Sequence, residues 1–402
     1  MKFIMLWEPE VGTKKTTQIL IQKPEYLENH EKFTDKYFQR SKQILKAEGI
    51  NPIVRYQVFA RQDIDSLKGV DEAVAFVKEK SPESRVYALR DGMNYASGEP
   101  LMKIEGRAQD LVDLETVYLE ILSGNLTGEL DFDEVRRNAR AVRQAAGNKT
   151  LLYFGARHFH PLDDEIIANI CYEEGFAGCS TDVGAMAWNA FGGGTVPHSL
   201  VLSYEAYMRE QGIKGNLTVE AAKAFDRNID KRVPRVMLID TYNRELTDAI
   251  ETAKAVPNLK GVRIDTCGEN YVQGTKGKNS PLVFGMIESL KKKYVQGKGV
   301  TIQGVWALRD ALDRAGFKDL EITVSSGFNA EKTNAFMQAD QSYGGMTYGR
   351  PLFNIIGTGS LTRSVMTTSD IVAHYSEAEN KWMDLSKVGR SETHSKRLEE
   401  VL

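Results

Sequence analysis

The apolar positions between Glu31 and Glu48 recur at helical spacing, with Phe33, Tyr37, Ile44 and Leu45 on one face, which predicts a single amphipathic helix. Gly49-Ile50-Asn51-Pro52 supplies its stop. Ile53-Val54-Arg55-Tyr56-Gln57-Val58-Phe59 then alternates with period two, the pattern of a half-buried strand. Gly98-Glu99-Pro100 reads as a turn into a strand over Leu101-Met102-Lys103-Ile104-Glu105, and Leu111, Leu114, Tyr118, Ile121 and Leu122 form the apolar face of another helix. Packing accounts for most of these residues without any further role.

From Leu151 onward the texture changes. Short apolar runs end in polar or glycine-rich segments, and helical patterns lie between them. Leu151-Leu152-Tyr153-Phe154 ends at Gly155-Ala156-Arg157-His158, Val236-Met237-Leu238-Ile239 at Asp240-Thr241-Tyr242, and Gly261-Val262-Arg263-Ile264 at Asp265-Thr266. Ile322-Thr323-Val324 ends at Ser325-Ser326-Gly327, and Phe353-Asn354-Ile355-Ile356 at Gly357-Thr358-Gly359-Ser360. Strands alternating with helices imply parallel βα units. Polar residues at successive strand C-termini are where a β/α barrel carries its chemistry, and an open doubly wound sheet places ligands there too.

Composition narrows the field. With 402 residues and roughly 100–200 per domain, two or three domains are expected. The formal net charge is only -3, which offers no general attraction to nucleic acid or an anionic membrane. Three cysteines, Cys171, Cys179 and Cys267, are too few and too scattered for a disulfide framework and suit a reducing, cytoplasmic setting. The apolar start at Met1–Trp7 is interrupted by Glu8 and Glu10 too early for a secretory h-region, and no window reaches the ~18 uncharged apolar residues of a membrane span.

Several residues at the strand ends can carry chemistry. The Ser325-Ser326-Gly327 and Gly357-Thr358-Gly359-Ser360 turns suit a phosphate, because glycine lets backbone N–H groups approach an anion and a following helix N-terminus adds its dipole; ordinary helix capping would use the same residues. Asp240 and Asp265 can bind ribose hydroxyls or hold Mg2+ together with substrate phosphates, or can cap the next helix. Arg157, beside His158 and His160, suits bidentate capture of phosphate or carboxylate, and Arg263, between Val262 and Ile264, points into the mouth of the sheet or into a salt bridge. His198 follows the run Gly192-Gly193-Gly194, and Tyr37 is suited either to the core or to stacking on an aromatic ring.

Taken in order, these motifs resemble the nicotinate phosphoribosyltransferase family, especially its shorter archaeal-type members. The likeness runs from about Thr34 to Leu361 through Thr34-Asp35-x-Tyr37, Gly98-Glu99-Pro100-Leu101-Met102 with Ile104-Glu105-Gly106, Leu114-Glu115-Thr116, and Phe154-Gly155-Ala156-Arg157-His158. It continues through Gly175-Phe176-x-Gly178-Cys179-Ser180, Gly194-Thr195-Val196-Pro197-His198-Ser199, Leu238-Ile239-Asp240-Thr241-Tyr242, Val262-Arg263-Ile264-Asp265-Thr266 and the two Gly/Ser turns.

The resemblance implies an α/β fold of the type II phosphoribosyltransferase kind. An N-terminal α/β sandwich domain over residues 1–150, completed by 365–402, would precede an irregular, incomplete α/β barrel over 151–364. It implies a homodimer or higher homo-oligomer with composite active sites, in which Tyr37 reaches across the interface to stack on a pyridine ring. By the same likeness Arg157 contacts ligand phosphate or carboxylate, and His198 is phosphorylated by ATP. Asp240 and Asp265 engage ribose and Mg2+-diphosphate, and Ser326, Gly327, Gly357, Gly359 and Ser360 hold the 5′-phosphate. The implied reaction joins nicotinate to PRPP, giving nicotinate mononucleotide for NAD synthesis with ATP as co-substrate.

Ser180 bears on the choice of base. Related nicotinamide enzymes carry Asp there, whereas a serine can donate to the carboxylate of nicotinate, although Asp182 lies two residues on. Two departures stand out. The family's Asp-Ser-Gly-Asp is here Asp265-Thr266-Cys267-Gly268-Glu269, and a second glycine-rich stretch at 343–349 competes for the phosphate role. The alternatives are a quinolinate enzyme, which calls for a richer Lys/Arg set, a nicotinamide enzyme, and a non-catalytic nucleotide-binding paralogue.

Overall fold

The computed structural model describes residues 23–281, 283–347 and 349–401. The apolar N-terminal stretch over 1–7 lies outside them. Period-two alternation at Ile53–Ala60 becomes strand β1, with Val54, Tyr56 and Val58 buried. It pairs antiparallel with β3 (Met102–Arg107), and β3 with β2 (Arg85–Ala88). The parallel strands are β4 (Thr150–Tyr153), β5 (Gly178–Cys179), β6 (Arg235–Leu238), β7 (Leu259–Ile264), β8 (Glu321–Val324) and β9 (Ile355–Thr358). The chain then returns to the first sheet as β10 (Thr367–Ser376), β11 (Lys381–Asp384) and β12 (Glu399–Val401).

Two six-stranded sheets result. The antiparallel one has the order β11-β10-β1-β3-β2-β12, and the parallel one β5-β4-β9-β8-β7-β6. In the parallel sheet β5 and β6 are edges that do not pair with each other, so the barrel stays open. The strands of β7, β8 and β9 are apolar along most of their length because helices cover their outer face, as parallel sheets require.

Each sheet has its own core. Under the antiparallel sheet lie Phe76 and Val77 of the helix Val70–Lys80 and Leu119 and Leu122 of Glu115–Thr127. Leu200 and Leu202 of His198–Glu210 and Phe225 of Leu217–Asn228 join this core, although they come from the barrel half of the chain. The barrel core gathers Val135 and Val142 of Phe132–Ala145, Leu308 and Leu312 of Ile302–Arg314, and Phe336 of Ala330–Met346 around Ile264, Val324 and Ile356.

Two elements differ from the sequence expectation. The helix expected over 31–48 is broken into His30–Phe33 and Lys36–Ala47. At the break the Thr34 hydroxyl lies within hydrogen-bond reach of the carbonyls of His30 (3.0 Å) and Asp113 (2.9 Å), and the Asp35 N–H donates to Thr116 Oγ1 (3.0 Å). These side-chain bonds compete with the helix and turn Asp35 toward the parallel sheet. The strand expected over 353–356 begins at Ile355 and runs through Thr358, so Gly357 is a strand residue and the turn starts at Gly359. A Cβ on Gly357 would lie 2.2 Å from the Phe154 ring, which explains why a glycine sits inside a strand.

Candidate functional site

The C-terminal ends of the parallel strands open into a cavity of about 390 Å3. Its wall includes Tyr37, Arg157, Ser180, His198, Arg263, Asp265, Ser326, Gly327, Gly357, Gly359 and Ser360. Of the twelve residues singled out from sequence, only Asp240 is absent from this wall. It lies behind His198, 5% exposed, with Oδ2 2.9 Å from His198 Nε2. Burial pushes the Asp240 carboxyl up, but His198, Lys387 and Arg263 more than offset this and hold it below the usual range. Its Oδ1 is buried without a hydrogen-bond partner. Asp240 is therefore placed to orient and charge-balance His198 rather than to face a ligand.

After β4 a short 3-10 turn, Ala156–His158, carries Arg157. Arg157 Nε is 3.2 Å from Asp35 Oδ2 and Nη1 is 3.5 Å from Glu115 Oε1, while its guanidinium lies 5.8 Å from the Tyr37 ring. Burial pushes the Glu115 carboxyl up to about 8, with Arg157 pulling it back. Burial and the same arginine push His158 down to about 4, so it is neutral near pH 7. Tyr37 lines this cavity within its own chain.

After β5, Ser180 lines the cavity and Asp182 does not. Asp182 instead pairs with Lys36 (2.5 Å) and accepts from the Gly192 N–H (2.9 Å). That fixes the glycine run before His198. A Cβ on Gly192 would meet the Ser180 carbonyl oxygen at 2.6 Å, and one on Gly194 would meet the Tyr37 backbone nitrogen at 2.8 Å, so close backbone approach requires glycine at both.

At the ends of β7 and β8, Arg263 Nη1 bonds Asp265 Oδ2 (3.0 Å) and Ser325 Oγ (3.2 Å), and Ser325 Oγ bonds Asp265 Oδ1 (2.8 Å). Ser326 (φ 80°) and Gly327 (φ 66°) are successive left-handed residues, a conformation that turns consecutive backbone N–H groups toward one side. Lys332 Nζ donates to the Ser326 carbonyl (2.7 Å), and burial pushes this amine down to about 8 against the pull of Asp265. Among the described residues the second glycine-rich stretch supplies no wall of the cavity: Tyr343, Gly344, Gly345 and Met346 end the helix Ala330–Met346.

Four residues of the wall were not singled out from sequence. Arg61 follows β1, Asp370 lies on β10, and Lys387 and Arg390 come from the segment between β11 and β12. Together with Arg157 and Arg263 they make five cationic side chains around one cavity. Nothing in the local pattern of residues 385–390 announces this, because the segment reaches the site only through the antiparallel sheet. Asp35 was within reach: it stands in the Thr34-Asp35-x-Tyr37 motif, buried against Arg157.

The donor set tests the expected Mg2+ site. A cation held by both Asp240 and Asp265 does not fit, since Asp240 faces His198 and of the two only Asp265 lines the cavity. A cation arriving on a substrate diphosphate, with Asp265 as the sole protein carboxylate, does fit the usual habit of Mg2+. Among the described residues the one cluster of ligand type is His30, Glu31 and Asp113, and there Lys42 already occupies both Asp113 oxygens at 2.9 Å. No helix among the described residues is long and apolar enough to cross a membrane.

Known proteins share parts of this sequence and its fold. Residues 35–124 match the family model of the quinolinate phosphoribosyl transferase N-terminal domain. The chain is 25% identical over 309 residues to nicotinate phosphoribosyltransferase pncB2 of Mycobacterium tuberculosis, covering 73% of this chain and 54% of that protein. It is 23% identical over 247 residues to the nicotinate phosphoribosyltransferase of Bacillus subtilis, covering 60% and 40%. The chain thus spans about half the length of the curated relatives it matches. In fold it is similar to the crystal structure of nicotinate phosphoribosyltransferase from Porphyromonas gingivalis (TM-score 0.60, 13% identity, 91% of this chain and 96% of that one). It is similar too to the one from Vibrio cholerae (TM-score 0.55, 14% identity, 88% and 89%).

Proposed function

We propose that the chain, similar as it is to nicotinate phosphoribosyltransferases, joins nicotinate to PRPP to give nicotinate mononucleotide and diphosphate. The observation that carries the reading is the convergence of Arg157, Ser180, Asp265, Ser326 and Gly359, from the ends of five parallel strands, on one cavity.

The 5′-phosphate lies on the Ser326-Gly327 and Gly359-Ser360 turns, where backbone N–H groups meet it without a bulky side chain. Nicotinate stacks on Tyr37, with its carboxylate facing Arg157 and the Ser180 hydroxyl. Its ring nitrogen attacks C1′ as the bond from C1′ to the diphosphate oxygen breaks, and the electron pair leaves with the diphosphate. The pyridine nitrogen is already unprotonated near neutral pH, so no general base is assigned. Mg2+ carried by the diphosphate would offset leaving-group charge, with Asp265 as its protein carboxylate. Rate then comes from positioning and charge stabilisation by Arg61, Lys387 and Arg390 around the diphosphate. ATP coupling is assigned to His198, which Asp240 holds by its Nε2.

The five cations lining the cavity favour one second reading, a quinolinate enzyme that accepts a dicarboxylate and releases carbon dioxide. Diphosphate release measured with PRPP and, in turn, nicotinate, quinolinate and nicotinamide, with and without ATP, decides between them. Turnover with nicotinate and no carbon dioxide from quinolinate supports the first reading. Carbon dioxide release coupled to diphosphate release supports the second, and no diphosphate from any base overturns both.

A further inference from the structure

The loop after β7 departs from the family pattern at Cys267-Gly268-Glu269, and Glu269 does not line the cavity while Cys267 and Gly268 do. Its carboxylate meets two arginines that do line it. Oε2 is 2.7 Å from Arg390 Nη1, and Oε1 is 3.7 Å from Arg61 Nη1. The two arginines come from separate parts of the chain, the end of β1 and the segment before β12, and Glu269 is a common partner.

Arg390 shows what this pairing does. Its Nε donates to Asp370 Oδ2 (3.0 Å), and its Nη1 is taken by Glu269 and the Gly389 carbonyl (3.1 Å). Among the described residues Nη2 has no protein partner, and Arg390 is part of the cavity wall. A guanidinium is a planar fork, so anchoring Nε and Nη1 fixes where the two Nη2 N–H groups point. The backbone under it is held as well. Val388 N donates to the Thr241 carbonyl (3.0 Å) and Asn270 Nδ2 donates to the Val388 carbonyl (2.7 Å). A Cβ on Gly389 (φ 89°) would lie 2.7 Å from that same Asn270 side chain.

We propose that Glu269 is a positioning residue that aims Arg390, and with it Arg61, at the diphosphate of the phosphoribosyl donor. The inference rests on the phosphoribosyltransferase reading above. It gives the shifted acidic position a task on the protein side of the site: the carboxylate acts through arginines. The strong pairing with Arg390 fits a carboxyl driven down to about 2, burial opposing and the hydrogen bonds from Arg390 and Cys267 prevailing.

The test is calorimetric binding of two probes, magnesium diphosphate and ribose 5-phosphate, to the full chain and its E269Q, E269D, R390A and E269Q/R390A variants. Losing one charge-assisted anchor is expected to weaken diphosphate binding by E269Q about tenfold. Ribose 5-phosphate, held on the Ser326-Gly327 and Gly359-Ser360 turns, is expected to bind each variant as it binds wild type, which also reports that the variants fold. E269D should recover part of the loss, and E269Q should cost less in the R390A background than alone. Diphosphate affinity that is unchanged or tighter in E269Q, or losses that simply add, overturns the positioning role. Wild-type protein that binds neither probe removes the phosphoribosyltransferase reading itself, so the two failures are distinguishable.

Discussion

Replacing Gly359 by alanine is expected to dislodge the turn assigned to the 5′-phosphate. A Cβ built there lies 2.6 Å from Gly155 Cα, 2.7 Å from the Phe154 carbonyl oxygen and 2.9 Å from Gly155 N. All three are backbone atoms of the β4 loop, pinned by the Phe154 N–H bond to the Thr358 carbonyl (2.8 Å), so no side chain can swing aside. Ordinary contact begins near 3.4 Å, so the turn must retreat by about 0.8 Å (3.4 less 2.6 Å). Overpacking of this kind costs about 1–3 kcal/mol of stability, and a misplacement near 1 Å can cost up to about 100-fold in kcat/KM. The control is Gly268→Ala, where nothing lies within 4 Å of the added atom, and there the stability change should stay within about 0.5 kcal/mol. Urea midpoints measure the stability of both variants, and ribose 5-phosphate titrations measure the turn directly. A Gly359→Ala protein with wild-type midpoint and undiminished ribose 5-phosphate affinity would refute the reasoning.

Three further outcomes are expected. Ser180→Asp should move base preference from nicotinate toward nicotinamide by about tenfold or more, because a carboxylate there opposes that of nicotinate; kcat/KM for each base checks it, and an unchanged ratio removes Ser180 from base selection. His198→Ala should abolish ATP stimulation and leave slow PRPP-dependent turnover, while undiminished stimulation would detach ATP from this residue. Asp164, bonded by Tyr153 (2.8 Å) and Thr181 (3.2 Å), is pushed by burial from 3.8 up to about 7. Between those values the folded chain keeps a proton that the unfolded chain has lost, so this group makes stability fall as pH rises, by at most about 1.4 kcal/mol per pH unit. Asp164→Asn should remove that slope between about pH 4 and 7 in urea titrations, and a slope equal to wild type would contradict the assignment.

The parts legible in sequence were those with a local pattern. Apolar runs closing on Asp265, on Ser325-Ser326-Gly327 and on Arg157 are strand ends by composition alone, and all lie at the cavity. Boundaries failed where a residue type carries two meanings. Gly357 reads as a turn, yet it sits in β9 because the Phe154 ring leaves no room for a side chain. Thr34 and Asp35 continue a helical period, yet long-range bonds to Asp113, Thr116 and Arg157 break it. The placement of Asp240 behind His198 and of Lys387 and Arg390 at the cavity depends on contacts between distant segments, which no spacing encodes.

The central claim is that loops from separate parallel strands bind one phosphorylated sugar at the same time. Amide hydrogen exchange with and without PRPP tests it most directly. PRPP should slow exchange together at 155–158, 325–327 and 359–360, at a single saturating concentration. Protection confined to one of these loops, or found only on segments away from the strand ends, would contradict it.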